Sequence, residues 1–380
     1  MGTGIAQVAA AAGHTVILGD AQDGATAKAK ATLTRALDRE VEKKKLARSD
    51  AEALIGRITF HPQSLGDNVF KYEGCGLIIE AIVESLPEKR RLFRNLEEVV
   101  DDQAIIATNT SSLSVTGIAS ACEHPERVLG LHFFNPAPVL PLVEVVPWTG
   151  TSPALPDAAK SLMAKWGKTP VLTSDTPGFI VNRIARPFYG EALRIAEEGI
   201  ADFATVDAAM RELGGFKMGP FELMDFIGND VNFAVTKSVF EAFFYEPRYR
   251  PSLTQQRLVE ANALGRKSGR GYYQYGDGVA KPEAKKDPVV GLLVFERILA
   301  MLINEAADAV HRRVATPADI DLAMTKGVNY PKGLLSWCDE LGAERVFGWM
   351  VRLHDEYRED RYRPSPLLRT MAREGTRFFA

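Results

Sequence analysis

The feature that most constrains this chain is a register of 114 residues in its second half. Shifted by that amount, Val206-Asp207-Ala208-Ala209-Met210 falls on Ile320-Asp321-Leu322-Ala323-Met324, Gly219 on Gly333, Gly228 on Gly342, Arg183 on Arg297 and Glu191 on Glu305. At a shift of 113, Arg248-Tyr249-Arg250-Pro251-Ser252 meets Arg361-Tyr362-Arg363-Pro364-Ser365. Two copies with the same spacing of glycines, acids and arginines share one chain path. Strand-forming runs nearly vanish after Phe179 and apolar spacing becomes helical, so both copies are expected to be all-helical. The expected division is a sheet domain over 1–176, helical repeats over 177–275 and 288–380, and an exposed Gly-, Pro- and Lys-containing linker over 276–287.

Before the repeats, strand and helix signals alternate. Gly2 to Ala12 is Ala-rich and helical, Gly13-His14 ends it, and Thr15 to Asp20 reads as a strand. A charged helical hairpin follows to Gly56. Ile58 to Phe60 and Leu77 to Ile82 read as strands, then an amphipathic helix from Arg90 to Val100. Alternation of this kind predicts an α/β Rossmann-like domain: a mostly parallel sheet with helices on both faces and its ligand off the carboxyl ends of the strands. A helix opening on Gly2, followed by a strand ending in Asp20, reads as the second half of a dinucleotide-binding βαβ unit. Gly2 can be only the last glycine of a GxGxxG turn, and the first strand falls before Met1.

The segment from Ala104 to Val146 gathers groups able to do chemistry. Ala104–Ala107, Val128–Leu131 and Leu142–Val146 read as three buried strands. Asn109, Thr110, Ser111 and Ser112 follow the first, His132 closes the second, and Glu144 lies in the third. A hydroxyl, an imidazole and a carboxylate on neighbouring strands suggest a reaction centre. Composition narrows its partners: 46 basic and 49 acidic residues give a net charge near −3, with no electrostatic case for nucleic acid or an anionic membrane. Three cysteines far apart, without a CxxC pair, argue against a disulfide framework or a metal site and fit a reducing cytoplasm.

The motifs TNTSSL (Thr108–Leu113), GLHFFNPAPV (Gly130–Val139), LVEVV (Leu142–Val146), DTPGFIVNR (Asp175–Arg183) and MGPFEL (Met218–Leu223) together make the chain resemble the 3-hydroxyacyl-CoA dehydrogenase family over nearly its whole length. The doubled helical domain and the two RYRPS segments look most like the branch that oxidises 3-hydroxyadipyl-CoA in bacterial phenylacetate catabolism. The resemblance implies an NAD-dependent enzyme of fatty-acid breakdown acting on an acyl-CoA thioester. Within it, His132 is the catalytic base, Glu144 orients it, Ser111 holds the reacting oxygen and Asn182 contacts the substrate near its thioester. These residue types suit the reaction. Alcohol oxidation by hydride transfer needs a base for the hydroxyl proton, and a partner carboxylate fixes the imidazole tautomer and stabilises the cation formed. Asp20 corresponds to the acid on the adenosine ribose and would repel a 2′-phosphate, favouring NAD over NADP. Glu84, Lys89 and Asn109 match positions around the nicotinamide end, and Gly2 the pyrophosphate turn.

The missing first strand and two glycines are an expected departure, with roughly ten residues upstream of a misassigned start supplying them. Glu296 stands where the first repeat has Asn182, so the second repeat is expected to be structural. In single-repeat relatives the helical domain forms a dimer interface; here a covalently attached copy could replace the partner, which leaves a homodimer open. The resemblance also leaves open a 3-hydroxybutyryl-CoA substrate and a non-catalytic, crystallin-like role. A dicarboxylic substrate should meet a cation, for which Arg186 and Lys217 are the candidates.

Overall fold

In the computed structural model, which describes residues 1–61 and 69–379, the chain falls into two units, Met1–Asp175 and Thr176–Ala380. The first unit runs α1 (Gly2–Ala11), β1 (Val16–Leu18), α2 (Ala25–Glu42), α3 (Arg48–Gly56), β2 (Ile58–Phe60), β3 (Leu77–Glu80), α4 (Leu86–Glu97), β4 (Ile105–Thr108), α5 (Val115–Ala119), β5 (Val128–Phe133), β6 (Leu142–Pro147), α6 (Leu155–Lys165) and β7 (Thr169–Leu172). The larger sheet has the order β3-β4-β5-β6-β7, parallel except for the antiparallel pair β5–β6. Its central strands β4, β5 and β6 are buried on both faces. Ile106 and Val128 point to a layer with Phe93, Leu96 and Ile118, whereas Ala107 and Leu129 point to the opposite layer with Ile5, Val8 and Met163. Unbroken apolar runs are what a strand covered on both sides requires.

Strands β1 and β2 form a separate parallel pair. Between β1 and β3, which do not pair with each other, lies a cavity of about 1340 Å³, lined among others by Val16, Leu18, Leu77 and Ile79. Helix α4 begins at Leu86 rather than at the expected Arg90. Pro87 occupies its first turn, where a missing N–H costs nothing and a preset φ favours the helix, and this brings Lys89 into the helix.

The second unit is all helical: α7 (Val181–Ile184), α8 (Arg186–Glu197), α9 (Phe203–Glu212), α10 (Pro220–Ile227), α11 (Asn229–Ala242) and α12 (Leu253–Glu260), then α13 (Pro288–His311), α14 (Pro317–Gly327), α15 (Leu334–Leu341), α16 (Ala343–Tyr357) and α17 (Pro366–Glu374). Helices α9 to α12 recur as α14 to α17, and α13 spans in one piece what α7 and α8 cover in two. Pro187, in the first turn of α8, breaks the first copy; Met301 stands at that position in the second.

The repeated motifs have a structural cause. Asp207 accepts from the backbone N–H groups of Phe221 and Glu222 at the start of α10, as Asp321 does from Leu335 and Ser336 at the start of α15. The aspartates press so closely on Gly219 and Gly333 that a Cβ there would lie 2.3 and 2.2 Å from them. Only glycine fits.

The two copies meet reciprocally. Arg183 donates to Glu305 (2.6 Å) and Arg297 to Glu191 (3.0 Å), so each repeat's buried arginine pairs with the other repeat's buried glutamate. Tyr249 and Tyr362 repeat the exchange, donating to Glu305 at 2.6 Å and to Glu191 at 2.8 Å. The tethered copies thus pair as two subunits related by a two-fold axis would. The connecting segment lies along the first repeat, where Lys281 pairs with Glu222 and the Lys285 N–H donates to Thr205.

Candidate active site

His132 and Glu144 face each other in the antiparallel register of β5 and β6. Their side chains meet at 2.6 Å, Nδ1 to Oε2, with Glu144 fully buried and His132 6% exposed. A buried carboxylate on Nδ1 fixes the proton there and leaves Nε2 as the basic nitrogen. The Phe134 ring lies 4.5 Å from the imidazole, centroid to centroid, and restricts its rotation. Residues read from sequence as a base and its orienting acid are therefore paired in space, twelve positions apart on two strands of one sheet.

The turn after β4 is held from below by one carboxylate. Oε1 of Glu84 accepts from the Thr110 hydroxyl (2.6 Å), the Ser111 N–H (2.9 Å), the Ser112 N–H (3.0 Å) and the Ser112 hydroxyl (2.9 Å). The Ser111 hydroxyl lies 3.4 Å from the same oxygen. Burial pushes the Glu84 carboxyl up, but the Thr110 hydroxyl, the Lys89 ammonium and the Ser111 and Ser112 donors outweigh it and hold it below the ordinary carboxylate range. Asn109 ties this turn to the strand that carries His132, since its Oδ1 accepts from the Phe133 N–H at 2.8 Å. The turn bearing Ser111 and the strand bearing His132 are one rigid construction.

Lys89 is 1% exposed and lies between two carboxylates, 2.7 Å from Glu80 and 3.2 Å from Glu84. Its ammonium is thus engaged by protein acids. Glu80, which the sequence reading passed over, closes this network by accepting also from the Ile82 N–H (2.6 Å) and the Thr108 hydroxyl (2.8 Å). An acid ending the apolar run Leu77-Ile78-Ile79 was the available signal, because a carboxylate at a buried strand end requires partners. Asp175 was missed in the same way: it accepts from the N–H groups of Val115 and Thr116 and from the Ser114 and Thr116 hydroxyls, fixing the start of α5.

In the separate two-stranded pair, Asp20 lies just past β1, exposed, with its Oδ1 accepting from the Gln22 N–H at 2.9 Å. Gly2 opens α1, and both residues line the large cavity. A carboxylate in the open at a strand's carboxyl end and a helix amino terminus beside it fit the ribose and pyrophosphate of a dinucleotide. Asn182 belongs to the second unit, in α7, where its carbonyl accepts from the Arg186 Nε at 2.9 Å. Among the described residues no group of three His, Cys, Asp or Glu side chains could hold a metal ion.

Residues 1–176 match the model of the 3-hydroxyacyl-CoA dehydrogenase NAD-binding domain, and residues 178–275 and 293–377 that of the 3-hydroxyacyl-CoA dehydrogenase C-terminal domain. Sheet, helical unit and matches together define an NAD-dependent oxidoreductase. A relative from Escherichia coli, 3-hydroxyadipyl-CoA dehydrogenase, is 38% identical over 98% of this chain and 95% of its own. Human mitochondrial hydroxyacyl-coenzyme A dehydrogenase is 41% identical over 72% of this chain and 88% of its own. A crystal structure of an E. coli enzyme described as 3-hydroxybutyryl-CoA dehydrogenase superposes with a TM-score of 0.91 at 37% identity, covering 98% of this chain and 96% of that one. The chain belongs to the 3-hydroxyacyl-CoA dehydrogenase family.

Proposed function

We propose that the chain oxidises (3S)-3-hydroxyadipyl-CoA to its 3-oxo thioester with NAD, and that His132, Glu144, Ser111 and Asn182 carry the reaction. The observation that supports this most is the buried 2.6 Å contact between His132 and Glu144. Nε2 of His132 takes the proton of the 3-hydroxyl as the hydride leaves the same carbon, and Glu144 stabilises the imidazolium that results. Bound NAD supplies the hydride acceptor. The Ser111 hydroxyl, held by the Glu84 turn, steadies the reacting oxygen, while the Asn182 amide orients the substrate near its thioester. Glu84, Lys89 and Asn109 serve the nicotinamide end: Glu84 and Asn109 by shaping the turn, Lys89 by neutralising Glu84. Asp20 holds the adenosine ribose and Gly2 the pyrophosphate turn.

The domain division read from sequence, with a sheet domain to 176, repeats over 177–275 and 288–380 and a linker over 276–287, belongs to the same reading. So does placement in phenylacetate or fatty-acid breakdown in the cytoplasm; no helix of the described residues is long and apolar enough to cross a membrane. Self-association through the face shared by the two repeats is not required, because each buried arginine there already has its partner.

The relative named for 3-hydroxyadipyl-CoA favours the six-carbon diacid, and the structure described as a 3-hydroxybutyryl-CoA enzyme keeps the four-carbon thioester as the second reading. NADH formation with each substrate tests both. His132→Gln should abolish it with either, and a folded variant that still turns over would overturn the assignment of the base.

A further inference from the structure

Arg186 is a buried cation without a carboxylate. It is 6% exposed, yet its guanidinium donates only to neutral oxygens: the carbonyls of Asn182 (2.9 Å) and Asn232 (3.5 Å) and the Thr236 hydroxyl (3.0 Å). Those bonds use Nε and Nη1, and no acceptor meets Nη2 among the described residues. The other buried arginines of this unit behave differently. Arg183, Arg194, Arg248 and Arg297 each pair with Glu191 or Glu305, and Arg361 pairs with Glu198 and Glu359. A buried charge without an opposite charge is costly, and a ligand carboxylate would offset that cost. Burial pushes the guanidinium below its ordinary value, with Tyr189 and Tyr330 opposing the shift.

Tyr330 supplies the second observation. It is 6% exposed, it acts electrostatically on Arg186, and its hydroxyl has no hydrogen-bond partner. Its ring is fixed by Phe216 at 5.0 Å and Phe188 at 5.8 Å, and Tyr189 lies under the guanidinium at 5.0 Å. Tyr330 comes from the second repeat, at the place where the first repeat has Phe216. The unused Nη2 of the guanidinium and the unpartnered Tyr330 hydroxyl are both donors, and together they suit a carboxylate.

We propose that Arg186 and Tyr330 form the site for the distal carboxylate of the acyl chain, so that the second repeat contributes to substrate selection. The proposal rests on the reading of Asn182 as the residue near the thioester. Arg186 lies four residues after Asn182, across the junction of α7 and α8, and its Nε donates to the Asn182 carbonyl at 2.9 Å. In an adipyl chain five carbon–carbon bonds separate the thioester carbon from the far carboxyl carbon, roughly 6 Å when extended. A four-carbon acyl group has no carboxylate to offer Arg186. Lys217, the other candidate cation, is exposed and needs no such partner.

The test compares substrates that differ only at the far end. 3-Hydroxyhexanoyl-CoA carries a methyl where 3-hydroxyadipyl-CoA carries the carboxylate, and adipyl-CoA and hexanoyl-CoA are the matching non-reacting ligands for calorimetry. Arg186→Gln should lower kcat/KM for the diacid by about 10- to 100-fold, the range for a charge-assisted hydrogen bond, and leave 3-hydroxybutyryl-CoA turnover within about threefold. Arg186→Lys should recover part of the loss, and Tyr330→Phe should cost about threefold to tenfold on the diacid alone. An unchanged ratio of adipyl- to hexanoyl-CoA affinity in Arg186→Gln and Tyr330→Phe overturns the carboxylate site, whereas retained 3-hydroxybutyryl-CoA oxidation in those proteins leaves the dehydrogenase reading standing. Arg186-dependent preference for adipyl-CoA in a protein that oxidises none of these thioesters supports the site and overturns the proposed reaction.

Discussion

Replacing Glu144 by glutamine isolates the contribution of charge from that of shape. The amide can still accept the Nδ1–H of His132, so the ring stays in place while the negative charge is lost. That charge matters most once the imidazole has taken the substrate proton. For a pair in contact at 2.6 Å with the carboxylate fully buried, an effective dielectric near 20 gives an attraction of about 4 kcal/mol at 4 Å separation, part of which the amide dipole replaces. A loss of about 2 to 4 kcal/mol in the transition state lowers kcat by about 30- to 1000-fold. The KM for the thioester should change by less than threefold, because the charge is not needed until the proton moves. Steady-state NADH formation and the reverse reduction of the 3-oxo thioester measure this, with thermal unfolding to verify the fold. A folded Glu144→Gln protein whose kcat stays within threefold of the parent would show that the carboxylate does not act through His132.

Further perturbations address the rest of the molecule. Glu305→Gln leaves Arg183 and Arg248 buried beside a neutral amide, with Asp308 still 3.0 and 3.8 Å from them, and should cost about 3 kcal/mol in urea unfolding, the low end for breaking a buried pair; a loss under 1 kcal/mol would mean that the pairs are dispensable. Burial alone would raise the Glu305 carboxyl, but Arg183 and Arg248 hold it down to about 2. Since that lies below the unfolded value near 4.3, its contribution of about 3 kcal/mol is present above pH ~4 and is lost as pH falls toward 2, an acid limb that should flatten in Glu305→Gln. Glu84→Gln removes the negative charge that faces Lys89 and weakens the acceptor under the turn; kcat should fall about tenfold and the KM for NAD should rise. Unchanged constants would detach that turn from the site. Asp20→Asn should raise the NADP-to-NAD ratio of kcat/KM about tenfold or more, by removing the charge that repels a 2′-phosphate.

The parts legible in sequence were those that local pattern dictates. Apolar runs at Ile105–Ala107 and Val128–Leu131 have to be buried strands, and an imidazole and a carboxylate in adjoining runs invited pairing; the antiparallel register that joins them had no local signature. Lys89 was read as lying near the nicotinamide end, but nothing local says that its ammonium will be enclosed by Glu80 and Glu84, nine and five residues earlier. The repeat was visible as a register of matches. Its packing was not, since Arg183 and Glu305 are 122 residues apart and identical residues could equally have paired within each copy. Arg186 stood out as a candidate cation, but its lack of an acidic partner among the described residues is a property of the folded environment alone.

Joining two equivalent copies in one chain changes what a mutation does. In a symmetric pair of separate subunits each substitution lands twice, on both sides of the axis, so a residue useful on one side must be tolerated on the other. Covalent linkage removes that obligation, and it keeps the copies together at any dilution. Glu296 can stand where the first copy has Asn182, and Tyr330 where it has Phe216, while the reciprocal arginine–glutamate pairs stay the same. The second copy is thereby released from duplicating the first, and a change at one of its positions no longer has to be tolerated at the matching position of the other.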